Sequence, residues 1–141
     1  NPLQTAACDY VSRNAGENPK FSRAMAVTAG ESAIAFISGT ASIVGHRTAH
    51  PDDVAGQCRE TMANIDALVA EVNRGARPRP FALDELAYRV YVRHAADFPL
   101  IRDTLAPLVG GAEALYVQSD ICRADLLLEI EAMGSHALGH D

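Results

Sequence analysis

The chain has 141 residues, 48% of them hydrophobic, which is the size of one domain with enough apolar mass for a core. A formal charge of −6 with only 12 Lys and Arg excludes the basic footprint that nucleic-acid binding requires. No apolar run approaches the roughly 18 residues of a membrane span, so a soluble protein with no membrane partner is expected.

Residues 1–21 contain Asn1-Pro2, Gly16 and Asn18-Pro19 without sustained periodicity, and are expected to form an arm or inter-domain linker ahead of a domain over 22–141. The start at Asn1 rather than Met, with no charged-then-apolar export signal beside it, reads as a processed or trimmed end. Residues 23–28 and 32–38 are β-type runs joined by Ala29-Gly30-Glu31, a hairpin signal. In the second run both faces are apolar, Ile34 and Phe36 on one and Ala33, Ala35 and Ile37 on the other. That strand is expected to be covered on both sides.

The clearest helix follows. Val54, Cys58, Met62, Ile65, Leu68 and Val72 recur at steps of three and four, with Pro51, Asp52 and Asp53 suited to the first turn and Gly75 past the end. Residues 74–80 are basic, Pro-rich and read as a solvated loop. Leu86, Tyr88, Val90 and Val92 alternate with Ala87, Arg89, Tyr91 and Arg93, the pattern of a strand. A second helix is expected to be capped by Asp97, to carry Ile101, Leu105 and Leu108 on its apolar stripe, and to end at Pro107 and Gly110-Gly111. Two last strands are expected at about 114–119 and 125–132.

The order β-β-α-β-α-β-β predicts an α+β fold in which two helices cover one face of a sheet. In the last strand Leu126, Leu128 and Ile130 are expected under the helices, and Leu127, Glu129 and Glu131 on the other face. That second face lacks a cover and is expected to be an interface. Three scattered cysteines, Cys8, Cys58 and Cys122, form no CxxC pair and suit a reducing cytoplasm.

Several long strings carry a family resemblance. They are Phe36-Ile37-Ser38-Gly39-Thr40-Ala41-Ser42-Ile43-Val44-Gly45-His46; then Asp53-Val54, Gln57, Glu60-Thr61 and Asn64-Ile65; then Tyr91-Val92-Arg93; and Asp120-Ile121-Cys122-Arg123-Ala124-Asp125-Leu126-Leu127-Leu128-Glu129-Ile130-Glu131-Ala132. Asn18-Pro19-Lys20-Phe21-Ser22-Arg23-Ala24 extends the match upstream. Together they resemble the C-terminal, Rid-like (YjgF-type) domain of chorismatases of the hydroxybenzoate synthase type, which cut pyruvate off chorismate. The resemblance implies a chorismate-mutase-like fold and an active site between domains or subunits. Chorismatases are roughly twice as long, with a divergent N-terminal domain. The expected partner is therefore either that missing Rid-like domain or further copies of the chain, as a homotrimer.

By the same resemblance Glu129 matches the family's catalytic glutamate, and Cys122 a cysteine of its hydroxybenzoate-forming members. Hydrolysis of an enolpyruvyl ether needs its methylene carbon protonated, a task for a carboxylic acid still protonated near neutral pH. Partial burial beside Leu127, with the like charge of Glu131, pushes a carboxyl that way. A rim of two exposed glutamates and a small buried cysteine are the plain alternatives. Chorismate is a dianion, so the Ser38-Gly39-Thr40-Ala41 turn is expected to offer backbone N–H groups. Arg23, Arg93 and Arg123 are candidate carboxylate clamps, and Tyr10 a substrate contact in the arm.

His46, His50, Asp52 and Asp53 have no metal-motif spacing, and no metal or cofactor is expected. Two other readings remain open. One is a Rid-type deaminase of enamines and imines, whose members hold the substrate carboxylate with an arginine on the penultimate strand; Ala114 stands near that position here. The other is a non-catalytic oligomeric ligand-binding domain.

Overall fold

The computed structural model describes residues 2–9, 21–75 and 79–138. Two strands, β1 (Ala24–Ala29) and β2 (Ser32–Thr40), form the expected hairpin around Gly30-Glu31. Gly30 sits at φ +57°, a left-handed conformation that glycine adopts without a Cβ penalty. A small ribbon of β3 (Ile43–Val44) and β4 (Arg47–Thr48) follows, then helix α1 (Val54–Asn73), β5 (Ala87–Val92), α2 (Phe98–Val109), β6 (Ala114–Gln118) and β7 (Leu128–Ala137). The main sheet runs β1-β2-β7-β5-β6, antiparallel except for the β5–β6 pair. The α+β order read from the sequence stands, with the ribbon as an addition.

Both helices lie on one face. Ala33, Ala35 and Ile37 of β2, Leu128, Ile130 and Ala132 of β7, and Tyr88, Val90 and Val92 of β5 are buried there. They pack with Cys58, Met62, Ile65 and Leu68 of α1 and with Ile101, Leu105 and Val109 of α2. The period of two in the strands and the steps of three and four in α1 are the sequence patterns that built this layer. Asp53 caps α1 by accepting from the Gly56 N–H (2.8 Å).

The opposite face is open in the single chain. Met25, Phe36 and Met133 pair in one row across β1, β2 and β7, and are 54%, 43% and 47% exposed. The expectation that the second strand is covered on both sides therefore fails within one chain.

Other expectations also shift. Leu108 is exposed while Val109 is buried, because the stripe of α2 advances by fours from Ile101. Pro107 lies inside the last turn of α2, and the helix stops at Gly110 (φ +59°), the later of the two expected stop signals. Asp97 makes no side-chain cap. Residues 125–127 do not join the last strand. Leu126 is buried in a separate cluster with Ala41 and Ile43, and Leu127 packs against the main core rather than on the open face. Beyond Ala132 the strand continues to Ala137, since β2 pairs with it as far as Ser32 opposite Ala137. Pairing overrides the poor strand propensity of Gly134 and Ser135.

Of the arm, residues 2–9 dock on the ribbon. Thr5 N–H donates to Gly45 O (2.8 Å), Gly45 N–H to Leu3 O (2.9 Å), and Ala7 is buried.

Candidate active site

Strand β7 carries its chemistry on alternate positions. Leu128 and Ile130 face the helices, so Glu129 and Glu131 face away. Between Ile37 opposite Ala132 and Thr40 opposite Ile130, β2 has one residue more than β7. Ser38 and Gly39 thus form a β-bulge facing Glu131, a device that re-aims neighbouring groups. The Glu129 carboxyl lies over Gly39; a Cβ built there would stand 2.9 Å from its carboxyl carbon. Burial pushes the Glu129 carboxyl above its ordinary value, Glu131 adds to the rise, and Arg23 opposes it. A carboxyl so placed holds its proton to higher pH than an exposed glutamate. Glu131 is gripped from β5, where Arg89 Nη1 lies 2.8 Å and the Tyr91 hydroxyl 3.1 Å from its Oε1. Tyr91 is also the cross-strand partner of Glu129.

Cys122 belongs to the same neighbourhood. Partial enclosure pushes its thiol up, and the Glu129 charge pushes it further, with Arg123 pulling down. The residue as a whole is exposed, so the buried structural alternative for Cys122 is set aside. A thiol with raised pKa is largely protonated at neutral pH and is a poor nucleophile.

The loop that carries Cys122 is held by two side chains. Arg93, expected as a carboxylate clamp, instead donates from Nε to Leu126 O (2.7 Å) and from Nη2 to Ile121 O (2.9 Å) and Arg123 O (2.8 Å). Its Nη1 reaches the Asp120 carboxylate (3.1 Å). Most of its donors are thus spent on holding the loop. Buried Gln57 on α1 donates to Asp125 O (2.8 Å) and His50 O (3.2 Å) and accepts from Leu127 N–H (2.8 Å). Asn64 similarly donates to Ala41 O and Ile43 O, each at 3.0 Å. The sequence signal that could have found these anchors is a pair of amides seven residues apart beside the apolar stripe of α1.

The remaining candidates divide. Ser38 and Arg23 stand beside the bulge: Ser38 N–H donates to Arg23 O (2.9 Å), and the Arg23 guanidinium lies over the Phe21 ring, 5.1 Å from its centroid. Thr40 and Ala41 are buried, and the Thr40 hydroxyl donates to Ser38 O (2.8 Å), so their side chains pack within the fold. Arg123 donates to His46 O (2.9 Å) at the loop's far side. His50 pairs with Glu60 (3.4 Å) and Asp53 is a helix cap. Ala114 opens the penultimate strand, β6. Tyr10 lies outside the described residues.

No protein-family model matches the chain. It is 36% identical to the 3-hydroxybenzoate synthase of Streptomyces hygroscopicus, over 94% of its own length and 42% of that protein's. A chorismatase crystal structure superposes with a TM-score of 0.86 at 34% identity, over 95% of this chain and 42% of the other. The YjgF protein of E. coli superposes with a TM-score of 0.62 at 20% identity, covering 82% of this chain and 87% of its own, which shows a shared fold. The chain thus spans about two fifths of the length of the chorismatase relatives it resembles, and has the Rid-like fold.

Proposed function

We propose that this chain is the C-terminal, Rid-like domain of a chorismatase-type enzyme, a lyase or hydrolase acting on the enolpyruvyl ether of chorismate, with Glu129 as the acid. The observation that carries the reading is the half-buried Glu129 carboxyl, raised toward its protonated form, in a chain similar along 94% of its length to a 3-hydroxybenzoate synthase.

In this reading the Glu129 proton goes to the terminal methylene carbon, and positive charge develops on the carbon bearing the ether oxygen. For hydrolysis, water adds at that carbon, the bond between that carbon and the ether oxygen breaks, and the ring keeps the oxygen, which takes up one proton of the added water. The other proton of the added water returns to Glu129. Chorismate and water then give pyruvate and a dihydroxycyclohexadiene carboxylate. The hydroxybenzoate outcome consumes no net water, because the ring also loses its second hydroxyl and a ring hydrogen, the elements of water, as it becomes aromatic. Cys122, beside Glu129, steers between the two. Arg23, Arg123 and the Ser38 edge of the bulge are the proposed contacts for the substrate's carboxylates.

The open sheet face is covered in the working protein, either by an N-terminal Rid-like domain or by further copies in a homotrimer. The row Met25–Phe36–Met133 supports this, since contiguous exposed apolar surface of this kind is rare on monomers. The three free cysteines suit a cytoplasmic setting. Among the described residues no helix is long and apolar enough to cross a membrane.

The test is to incubate the full-length protein with chorismate, follow pyruvate by a coupled assay and resolve the ring product by chromatography. Pyruvate release that collapses in Glu129→Gln is the expected result. No pyruvate above the uncatalysed rate from the folded wild type overturns the reading.

A further inference from the structure

Two glutamates stand on the same face of β7, two residues apart, yet only Glu129 rests on a glycine. Glu131 is held sideways by Arg89 and Tyr91 at 2.8 and 3.1 Å. Glu129 instead lies flat over the backbone of the bulge, where any Cβ at position 39 would occupy the space of its carboxyl group. Gly39 is not in the left-handed backbone region, so alanine suits its φ and the conflict is with the Glu129 side chain alone. That side chain is flexible and free to swing, so the backbone need not move.

We propose that Gly39 is a positioning residue, the seat that fixes where the Glu129 carboxyl sits, rather than a backbone contact for the substrate. The inference rests on the reading of Glu129 as the acid, and deepens it. A side chain at position 39 would lift the carboxyl off the bulge into solvent while leaving the core untouched. Part of the burial that holds the proton on Glu129 would be lost with it. The charged and titratable groups that face Glu129 would all remain: Glu131 on its own strand, Tyr91 opposite on β5, Arg23 ahead of β1, and Cys122 in the loop, with Arg123 beside that thiol.

The experiment uses the full-length protein with ¹³C-labelled glutamate carboxyls, Glu129 being assigned by its absence in Glu129→Gln. Gly39→Ala is expected to keep the urea midpoint, to move the Glu129 titration down toward 4.5, and to slow pyruvate release at least about tenfold with an acid-shifted pH profile. Glu129→Asp draws the carboxyl off the seat without adding an atom, and serves should Gly39→Ala misfold: its own labelled carboxyl is expected to titrate near an ordinary aspartate, and one still held well above that overturns the proposal. It is expected to lose activity on its own, and to be slowed little further when Gly39→Ala is added. An unmoved Glu129 titration in folded Gly39→Ala overturns the proposal, as does an undiminished rate in an active protein. If the wild type releases no pyruvate but the titration still moves, the chorismatase reading falls and the seat stands.

Discussion

The two faces of this sheet are made by the same five strands and behave as different materials. On the helix side every position from Ala33 to Ile37 and from Leu128 to Ala132 that points inward is closed over by α1 and α2. On the other side the same strands present Met25, Phe36 and Met133 beside Arg89, Tyr91, Glu129 and Glu131. The alternation of β7 puts core side chains at even positions and the candidate site's carboxylates at odd ones, one residue apart. The lesson is that neighbouring substitutions should have separable consequences.

The largest separation is expected at Glu129 and Ile130. Glu129→Gln should lower pyruvate release by about 10²–10⁴ while the urea midpoint holds. Ile130→Ala, in contrast, should cost about 2–5 kcal/mol of folding stability, read from the same melts, because it empties a fully buried site. A Glu129→Gln variant that unfolds would break the comparison.

Gln57 is where the two faces communicate, since it stands in the core and ties down residues 125–127. Gln57→Ala leaves the Leu127 N–H without its partner, at a cost of about 1–3 kcal/mol. It should also lower the rate, because the loop carrying Cys122 loses its anchor. Denaturation and pyruvate assays on one preparation check both.

Cys122→Ala should be milder. Turnover partly survives and the ratio of diene to hydroxybenzoate changes, as seen by chromatography; an unchanged ratio would remove Cys122 from the steering role.

The smallest effect concerns pH. An acid raised in the folded state favours folding fully below its unfolded value. As pH climbs from about 4.5 through the folded value, the unfolded chain gives up its proton first, and that advantage is lost. Glu129→Gln should therefore flatten the fall in urea midpoint as pH rises from about 4.5.

Most of the scaffold was legible because periodicity reports burial directly. The stripe of α1 and the alternation of Leu86 to Arg93 led to elements within a residue or two of their places. Ile34 and Phe36 signal a face that wants cover, and a single chain does not supply it. Within the site, the family strings pointed to Glu129 and Cys122, which the fold brings together. The duty of Arg93 was hidden, because its partners are carbonyls of a loop whose path is set by tertiary structure. The bulge at Ser38 and Gly39 was not legible either, since it exists only once β2 and β7 pair.

That pairing also bears on how the chain reaches its fold. The last strand of this domain to leave a ribosome is the middle strand of the sheet, inserted between β2 and β5. Until β7 arrives, the β1–β2 hairpin and the β5–β6 pair are separate pieces, each with an unsatisfied edge. Joining them requires contacts as distant in sequence as Ser32 with Ala137, so a slow, non-local closing step is expected. Chains cut short before Leu128 would keep both edges open, the state most exposed to edge-to-edge aggregation.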